Sequence, residues 1–251
     1  MQVSQFSAPP PHSLNLESDE IHIWRVSLDC DEQTVRGFRK LLDREEQARA
    51  DQFVFGRDRD QFIVTRGALR HLLGQYAKCP PTNLKFGYGS KGKPSLMASP
   101  RHPSIQFSVS HSHALALLAF AARLQLGIDV ESIRPDFATA EIAERYFSPE
   151  EIAELRALPS SLQPEGFFLC WTRKEAYLKA TGEGLHVALQ SFSVSLTPGN
   201  PARLNSRDSS VWRLVSLEPA PRYVGALVVE ERGGNVRLFD FREATPEPAA
   251  H

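Results

Sequence analysis

Helix-like and strand-like hydrophobic periods follow one another in this chain in an order that predicts an α+β fold of two lobes meeting near residue 125. Three observations lead there. A short alternating run, a long helical region and three strand-like runs fill the first half, and helices followed by strands fill the second. Proline and glycine pairs such as Pro80-Pro81 and Gly233-Gly234 punctuate these runs where an element must end. The length of 251 residues supports one large domain or two small lobes with a real hydrophobic core.

The elements can be taken in order. Residues 1–20, with Pro9, Pro10 and Pro11 among small polar residues, read as a disordered N-terminal tail, and residues 242–251 as a second tail. Between them, residues 21–124 form the expected first lobe and 125–241 the second. Residues 21–27 alternate as a short strand. From Asp31 to Tyr76 the period is helical, broken near Phe55-Gly56, with Phe62, Leu69, Leu72 and Leu73 at helix spacing. Gly87, Gly89, Gly92 and Pro94 mark an irregular loop. Strand-like runs follow at 105–109, 114–120 and 124–130. A second helical region starts at Thr139, and Ser148-Pro149-Glu150-Glu151 supplies a serine cap, a proline at the first position and a glutamate at the third. A helix over 164–180 stops at Gly182. Strands are expected at 191–196, 211–217, 223–229 and 236–239, with Gly233-Gly234 as a hairpin turn.

Composition excludes several classes. Apolar residues make up 41%, charged residues 24%, and the formal net charge is −1, so no whole-chain field attracts nucleic acid or an anionic membrane. Any phosphate site must therefore be built locally. Cys30, Cys79 and Cys170 are widely spaced and form no C-x-x-C pair, which argues against a disulfide framework or zinc site and for a reducing cytoplasm. Neither a secretion signal nor an apolar run of about 20 residues is visible, so a soluble, cytoplasmic protein is expected.

Chemistry concentrates in a few places. In Leu124-Gln125-Leu126-Gly127-Ile128-Asp129-Val130-Glu131 the apolar residues face one side, and Gln125, Gly127, Asp129 and Glu131 the other. Two carboxylates on one strand face, about 6 Å apart at an effective dielectric near 20, repel by about 3 kcal/mol, and a nearby positive charge would relieve them. The plain alternative is a solvated edge strand. Further on, Glu175 falls on the same helical arc as Phe167, Phe168, Trp171 and Leu178, with Lys179 one turn along its flank. A Glu175–Lys179 helix pair accounts for the spacing but not for an acid in an apolar stripe. Asp129, Glu131 and Glu175 together make a hard oxygen set that suits magnesium bound against substrate phosphates, with manganese as an alternative ion. Ser110 and His111, in Phe107-Ser108-Val109-Ser110-His111-Ser112-His113, are expected at a turn facing a ligand. A histidine beside phosphate suits the place better than a metal-binding H-x-H, and a polar surface turn is the plain alternative. Lys91 and Lys93 sit in a glycine-containing loop that lets backbone approach a ligand, although the spacing is not that of a Walker A loop.

The ordered set Gly92-Lys93-Pro94, Ser110-His111, Gly127-Ile128-Asp129-Val130-Glu131 and Trp171-Thr172-Arg173-Lys174-Glu175-Ala176-Tyr177-Leu178-Lys179, closed by Gly182-Glu183-Gly184-Leu185, resembles the 4′-phosphopantetheinyl transferases of the surfactin-synthetase type. The resemblance runs from about Trp24 to Asp240. It implies a pseudo-twofold pair of α+β lobes, each a small antiparallel sheet packed on helices, with coenzyme A between them. It implies transfer of the phosphopantetheinyl group to a serine of an apo acyl or peptidyl carrier protein. It assigns Asp129, Glu131 and Glu175 to the metal and Lys179 to the pyrophosphate. Lys93, Ser110 and His111, with Lys91 beside them, fall to the rest of coenzyme A. Arg49 lies where the family often has a basic residue for the 3′-phosphate, whereas acidic Glu46 stands where some members carry a second one. Glu175 is the candidate base for the serine hydroxyl, directly or through a metal-bound water, and a monomer is implied. Two rivals differ in class: another magnesium-dependent nucleotide hydrolase, and a non-catalytic module that grips carrier proteins.

Overall fold

The structure is a computed structural model that describes residues 2–3, 5–7, 14–89, 93–97, 104–137, 140–182, 189–231 and 234–241. Lys91, Gly92, Thr139, the segment 183–185, Gly233 and the expected C-terminal tail lie outside the described residues.

The first lobe begins with β2 (Glu20–Ser27), followed by α1 (Glu32–Arg39), α2 (Arg44–Ala50) and α3 (Gly56–Ala77). The helical region expected from Asp31, with a break near Phe55-Gly56, is three helices: α3 starts at Gly56, and a further break separates α1 from α2. Asp31 caps α1, and Asp43 and Glu46 form a reciprocal capping box that starts α2 afresh. A small hairpin, β3 (Phe86–Tyr88) and β4 (Pro94–Leu96), leads to β5 (Gln106–Ser112) and β6 (Leu115–Ala121). The second lobe repeats this order: β7 (Leu126–Ser132), then α4 (Ala140–Tyr146), α5 (Pro149–Ala157) and α6 (Gln163–Thr181), a short pair β8 (Ser193–Val194) and β9 (Leu204–Asn205), and the strands β10 (Trp212–Leu217) and β11 (Tyr223–Glu230). Each lobe therefore has three antiparallel strands in matching order, β2-β6-β5 and β7-β11-β10.

The ends of the chain correct the expected lobe boundaries. β12 (Asn235–Asp240), placed by the sequence reading in the second lobe, pairs in parallel with β2 of the first. Part of the expected N-terminal tail is also docked: β1 (Gln2–Val3) pairs in parallel with β10, Ser7 bridges Phe239, and Leu14 is buried. Each antiparallel trio thus gains a parallel fourth strand from the far end of the chain. Of the strand expected over 191–196, only Ser193–Val194 pairs.

Three apolar clusters explain the layering. One joins α1 and α3 to the outer face of the first sheet, through Phe38, Leu69, Leu72, Leu118 and Phe120. A second joins α6 to the outer face of the other sheet. The third lies between the sheets and contains Ile21, Ile23, Leu117, Leu126, Ile128, Val130, Val215 and Leu227. With both faces packed, β6 is buried from end to end, which is why it reads as a continuous apolar run rather than an alternating one.

Candidate active site

The site forms where the two lobes meet, at β7, an edge strand of its sheet. Leu126, Ile128 and Val130 enter the core between the sheets, so Gly127, Asp129 and Glu131 face α6. The close approach of α6 depends on Gly127. A Cβ there would lie 2.1 Å from the Ala176 carbonyl oxygen and 2.3 Å from the Ala180 nitrogen. Along α6, Trp171, Glu175 and Lys179 are half-buried, while nearly every residue between them is buried. This corrects the amphipathic picture. Glu175 shares with Trp171 and Lys179 a half-buried stripe of a mostly buried helix, and its charge is felt by the acids of β7.

Asp129 is buried. Its Oδ1 accepts from the Lys179 ammonium at 2.7 Å and from the Ser110 hydroxyl at 2.6 Å, while its Oδ2 is buried with no hydrogen-bond partner among the described residues. Glu131 accepts from the Ser112 hydroxyl at 2.6 Å, with Arg134 at 4.0 Å. Burial raises the pKa of Glu131 despite that hydrogen bond, and the Asp129 charge adds to the rise. Glu175 is also raised, first by burial and then by Asp129, with Lys179 opposing and Glu131 adding. The three acids therefore feel one another. Among the described residues, however, no three His, Cys, Asp or Glu side chains are gathered closely enough to enclose a metal ion on their own. Like charges do not close up unaided; Lys179 is paired with Asp129, and Arg134 stands at the edge beside Glu131.

The outward polar groups of β7 are met by side chains instead of a neighbouring strand. Lys93 donates to the Leu126 carbonyl at 3.2 Å, and Lys179 to the Ile128 carbonyl at 3.2 Å. Burial lowers the Lys93 pKa. Ser110 and His111 lie within strand β5, not at the expected turn, which begins two residues beyond His111 at His113, with φ 52°. His111 points away from Ser110. Desolvation by its neighbours and the Lys179 ammonium push its imidazole below the ordinary range, while Asp129 and Asp58 oppose them.

Beside this cluster, a cleft of about 1050 Å³ is lined by Arg44, Arg49, Lys85, Phe86 and Pro94 among others. Arg49 lies over the Phe62 ring at 5.4 Å. Glu46, the acidic residue where a basic one was conceivable, is a structural group: it is buried and accepts from both Arg66 and Arg70.

Comparison with known proteins decides the family. The model for the 4′-phosphopantetheinyl transferase superfamily matches residues 125–228, and that for the 4′-phosphopantetheinyl transferase N-terminal region matches residues 29–123. The 4′-phosphopantetheinyl transferase HetI of Nostoc sp. is 39% identical over 233 residues, covering 93% of this chain and 97% of its own. The chain belongs to the 4′-phosphopantetheinyl transferase superfamily. Two further transferases of this name are similar over 74% of the chain: psf-1 of Bacillus pumilus at 33% identity and Sfp of Bacillus subtilis at 28%, with 78% and 81% of their own lengths covered.

In this phosphopantetheinyl transferase, the structure brings Asp129, Glu131, Glu175, Lys179, Ser110, His111 and Lys93 to one region, and sets Arg49 on the adjoining cleft. Sequence reasoning missed the contact of Ser112 with Glu131 and the packing role of Gly127. The alternate serines of Ser108-Val109-Ser110-His111-Ser112 carried a signal for the first, since three hydroxyls on one strand face need partners. The motif also contains residues of a different kind. Lys174 is buried in an ion pair with Glu151 at 2.8 Å and donates to the carbonyls of Leu189 and Phe192, so it holds the lobe together away from the site.

Proposed function

We propose that this transferase moves the 4′-phosphopantetheinyl group of coenzyme A onto a serine of an apo acyl or peptidyl carrier protein, acting as a holo-[acyl-carrier-protein] synthase. The observation that carries the reading is the convergence of Asp129, Glu131 and Glu175 with Lys179, beside a cleft bearing Arg44, Arg49 and Lys85. In the reaction, the serine oxygen forms a bond to the phosphorus that bears the pantetheine arm. The bond from that phosphorus to the bridging oxygen breaks, and adenosine 3′,5′-bisphosphate leaves with the electron pair.

Magnesium, with manganese as an alternative, fits the oxygen donors of Asp129, Glu131 and Glu175, and the unpartnered Oδ2 of Asp129 is a donor position in want of a cation. When bound, the ion supplies positive charge against the pyrophosphate. The chain's own groups do the rest. Lys179 is placed to neutralise pyrophosphate oxygens. Glu175, its basicity raised by burial and by its acidic neighbours, takes the serine proton. His111 and Lys93, both biased toward their neutral forms without ligand, gain charge when an anion arrives, so phosphate binding and protonation favour each other. Ser110 belongs with them at the mouth. Arg49 faces the cleft assigned to the nucleotide end of coenzyme A, where Phe62 and Phe86 offer apolar faces. Lys91 keeps its proposed place on the same substrate.

The test is incubation of the protein with coenzyme A, magnesium and a panel of apo carrier proteins, read by intact mass. A gain of one phosphopantetheinyl unit on a carrier is expected, together with its loss in Asp129→Ala while the circular dichroism spectrum is kept. Consumption of coenzyme A with no carrier modified would favour a hydrolase, and carrier binding with no chemistry would favour a non-catalytic module.

A further inference from the structure

β5 carries serines at 108, 110 and 112, and all three are buried. Each finds a partner on β7. Ser108 Oγ accepts from the Ile128 N–H at 3.1 Å, and Ser110 Oγ donates to Asp129 at 2.6 Å. Ser112 Oγ donates to Glu131 at 2.6 Å and accepts from the Ser132 N–H at 3.2 Å. The partner positions advance with the serines, so the two strands run side by side in the same direction. Yet they are edge strands of different sheets, and among the described residues no main-chain ladder joins them. Hydroxyl groups bridge the lobes where backbone pairing does not.

Ser112 is the most constrained member. The Ser132 N–H occupies one lone pair of its oxygen, which leaves the single hydroxyl proton aimed at Glu131 Oε2. This bond takes one carboxylate oxygen and fixes the carboxylate plane. Oε1 has no hydrogen bond among the described residues. Ser108, by contrast, accepts from a main-chain N–H.

We propose that Ser112 is a positioning residue of the transferase: from the first lobe, it orients the Glu131 carboxylate of the second so that the remaining oxygen serves the divalent cation. The proposal rests on the reading of Asp129, Glu131 and Glu175 as cation ligands. It has a consequence for the molecule as a whole, because the docking of the lobes and the affinity for the ion are joined through hydroxyls of one strand, Ser112 on Glu131 beside Ser110 on Asp129. Loss of a group that orients a metal ligand through a hydrogen bond typically costs about 10- to 100-fold in metal affinity.

The experiment measures Mn²⁺ binding to the full-length protein by electron paramagnetic resonance, with and without coenzyme A. Ser112→Ala is expected to weaken Mn²⁺ binding about 10- to 100-fold. Ser112→Thr keeps the hydroxyl and is expected to bind like the wild type. Ser108→Ala loses a neighbouring buried bond that touches no acid, so its melting temperature falls while its Mn²⁺ affinity holds. Ser112→Cys, close in size with a much weaker donor, is expected to lose affinity as alanine does and carries the test if the alanine variant unfolds. Wild-type affinity in Ser112→Ala or Ser112→Cys, or equal losses in the Ser108 and Ser112 variants, overturns the proposal. A wild type that binds no Mn²⁺ in either condition overturns the reading of the acids themselves, and the proposal with it.

Discussion

Replacing Gly127 with alanine tests the claim that close packing of α6 on β7 sets the catalytic geometry. The added Cβ would meet backbone alone: the Ala176 carbonyl oxygen at 2.1 Å, the Ala180 nitrogen at 2.3 Å and the Lys179 carbonyl carbon at 2.8 Å. No rotamer change relieves such contacts. To restore an ordinary separation, α6 must move off the strand by about 1 Å, against an interior that is close-packed and has few voids to take it up. Glu175 and Lys179 ride on that helix, and the 2.7 Å bond from Lys179 to Asp129 stretches with it. A displacement of about 1 Å at a reacting centre costs about 100-fold in rate, or about 2.7 kcal/mol of transition-state stabilisation. Overpacking itself costs about 1–3 kcal/mol of stability, or a fall in melting temperature of about 2–12 °C for a chain of this size. Single-turnover transfer to a carrier protein, with a thermal melt on the same sample, measures both. Wild-type rate and wild-type melting temperature in Gly127→Ala would refute the reasoning.

Two further outcomes follow from groups outside the site. Lys174→Met strands Glu151 in the core without its cation, which costs about 3–5 kcal/mol. Differential scanning calorimetry should show a fall of about 6–20 °C, and an unchanged melting temperature would mean that the Lys174–Glu151 pair is not buried as described. Burial lowers the pKa of His22 and of His71 from the ordinary 6.5. The unfolded chain therefore takes up protons first as pH falls, so these histidines leave stability flat above about pH 6.5 and make it decline below that value, until the folded pKa is passed. Urea midpoints measured from pH 8 to 5 should show this decline, reduced in His22→Gln. An equal slope in that variant would count against His22 as a source.

Much of this architecture was legible because its signals are local. The strand β7 announced itself by strict alternation, and that alternation put Asp129 and Glu131 on one face before any coordinates. The start of α5 was written in Ser148, Pro149 and Glu151, and the stop of α6 in Gly182, which sits at φ 70°. What stayed hidden depends on contacts distant in sequence. Nothing near Asn235 says that β12 joins β2, because its partner lies more than 200 residues away. The helix α6 carries no clear apolar stripe because the β7–β11 sheet, α5 and the β8 region bury most of its circumference, so periodicity misplaced Glu175 on it. The hydroxyl bridge from β5 to β7 was invisible for the same reason: its two strands belong to different sheets, and no ladder pattern marks the pairing. Glu46 shows the converse. Its acidity, odd for a phosphate-binding face, is explained by Arg66 and Arg70 from α3, which local sequence does not bring to it.

The central claim is that the acids of β7 and the glutamate of α6 serve one divalent ion beside coenzyme A. A crystal structure of the protein with coenzyme A and Mn²⁺, solved with data collected at the manganese edge, tests it most directly. The expected result is one anomalous peak within coordinating distance of an oxygen of each of Asp129, Glu131 and Glu175, with the coenzyme A pyrophosphate on its open side. A fully bound coenzyme A whose ion sits elsewhere, with those three carboxylates free of it, would contradict the account.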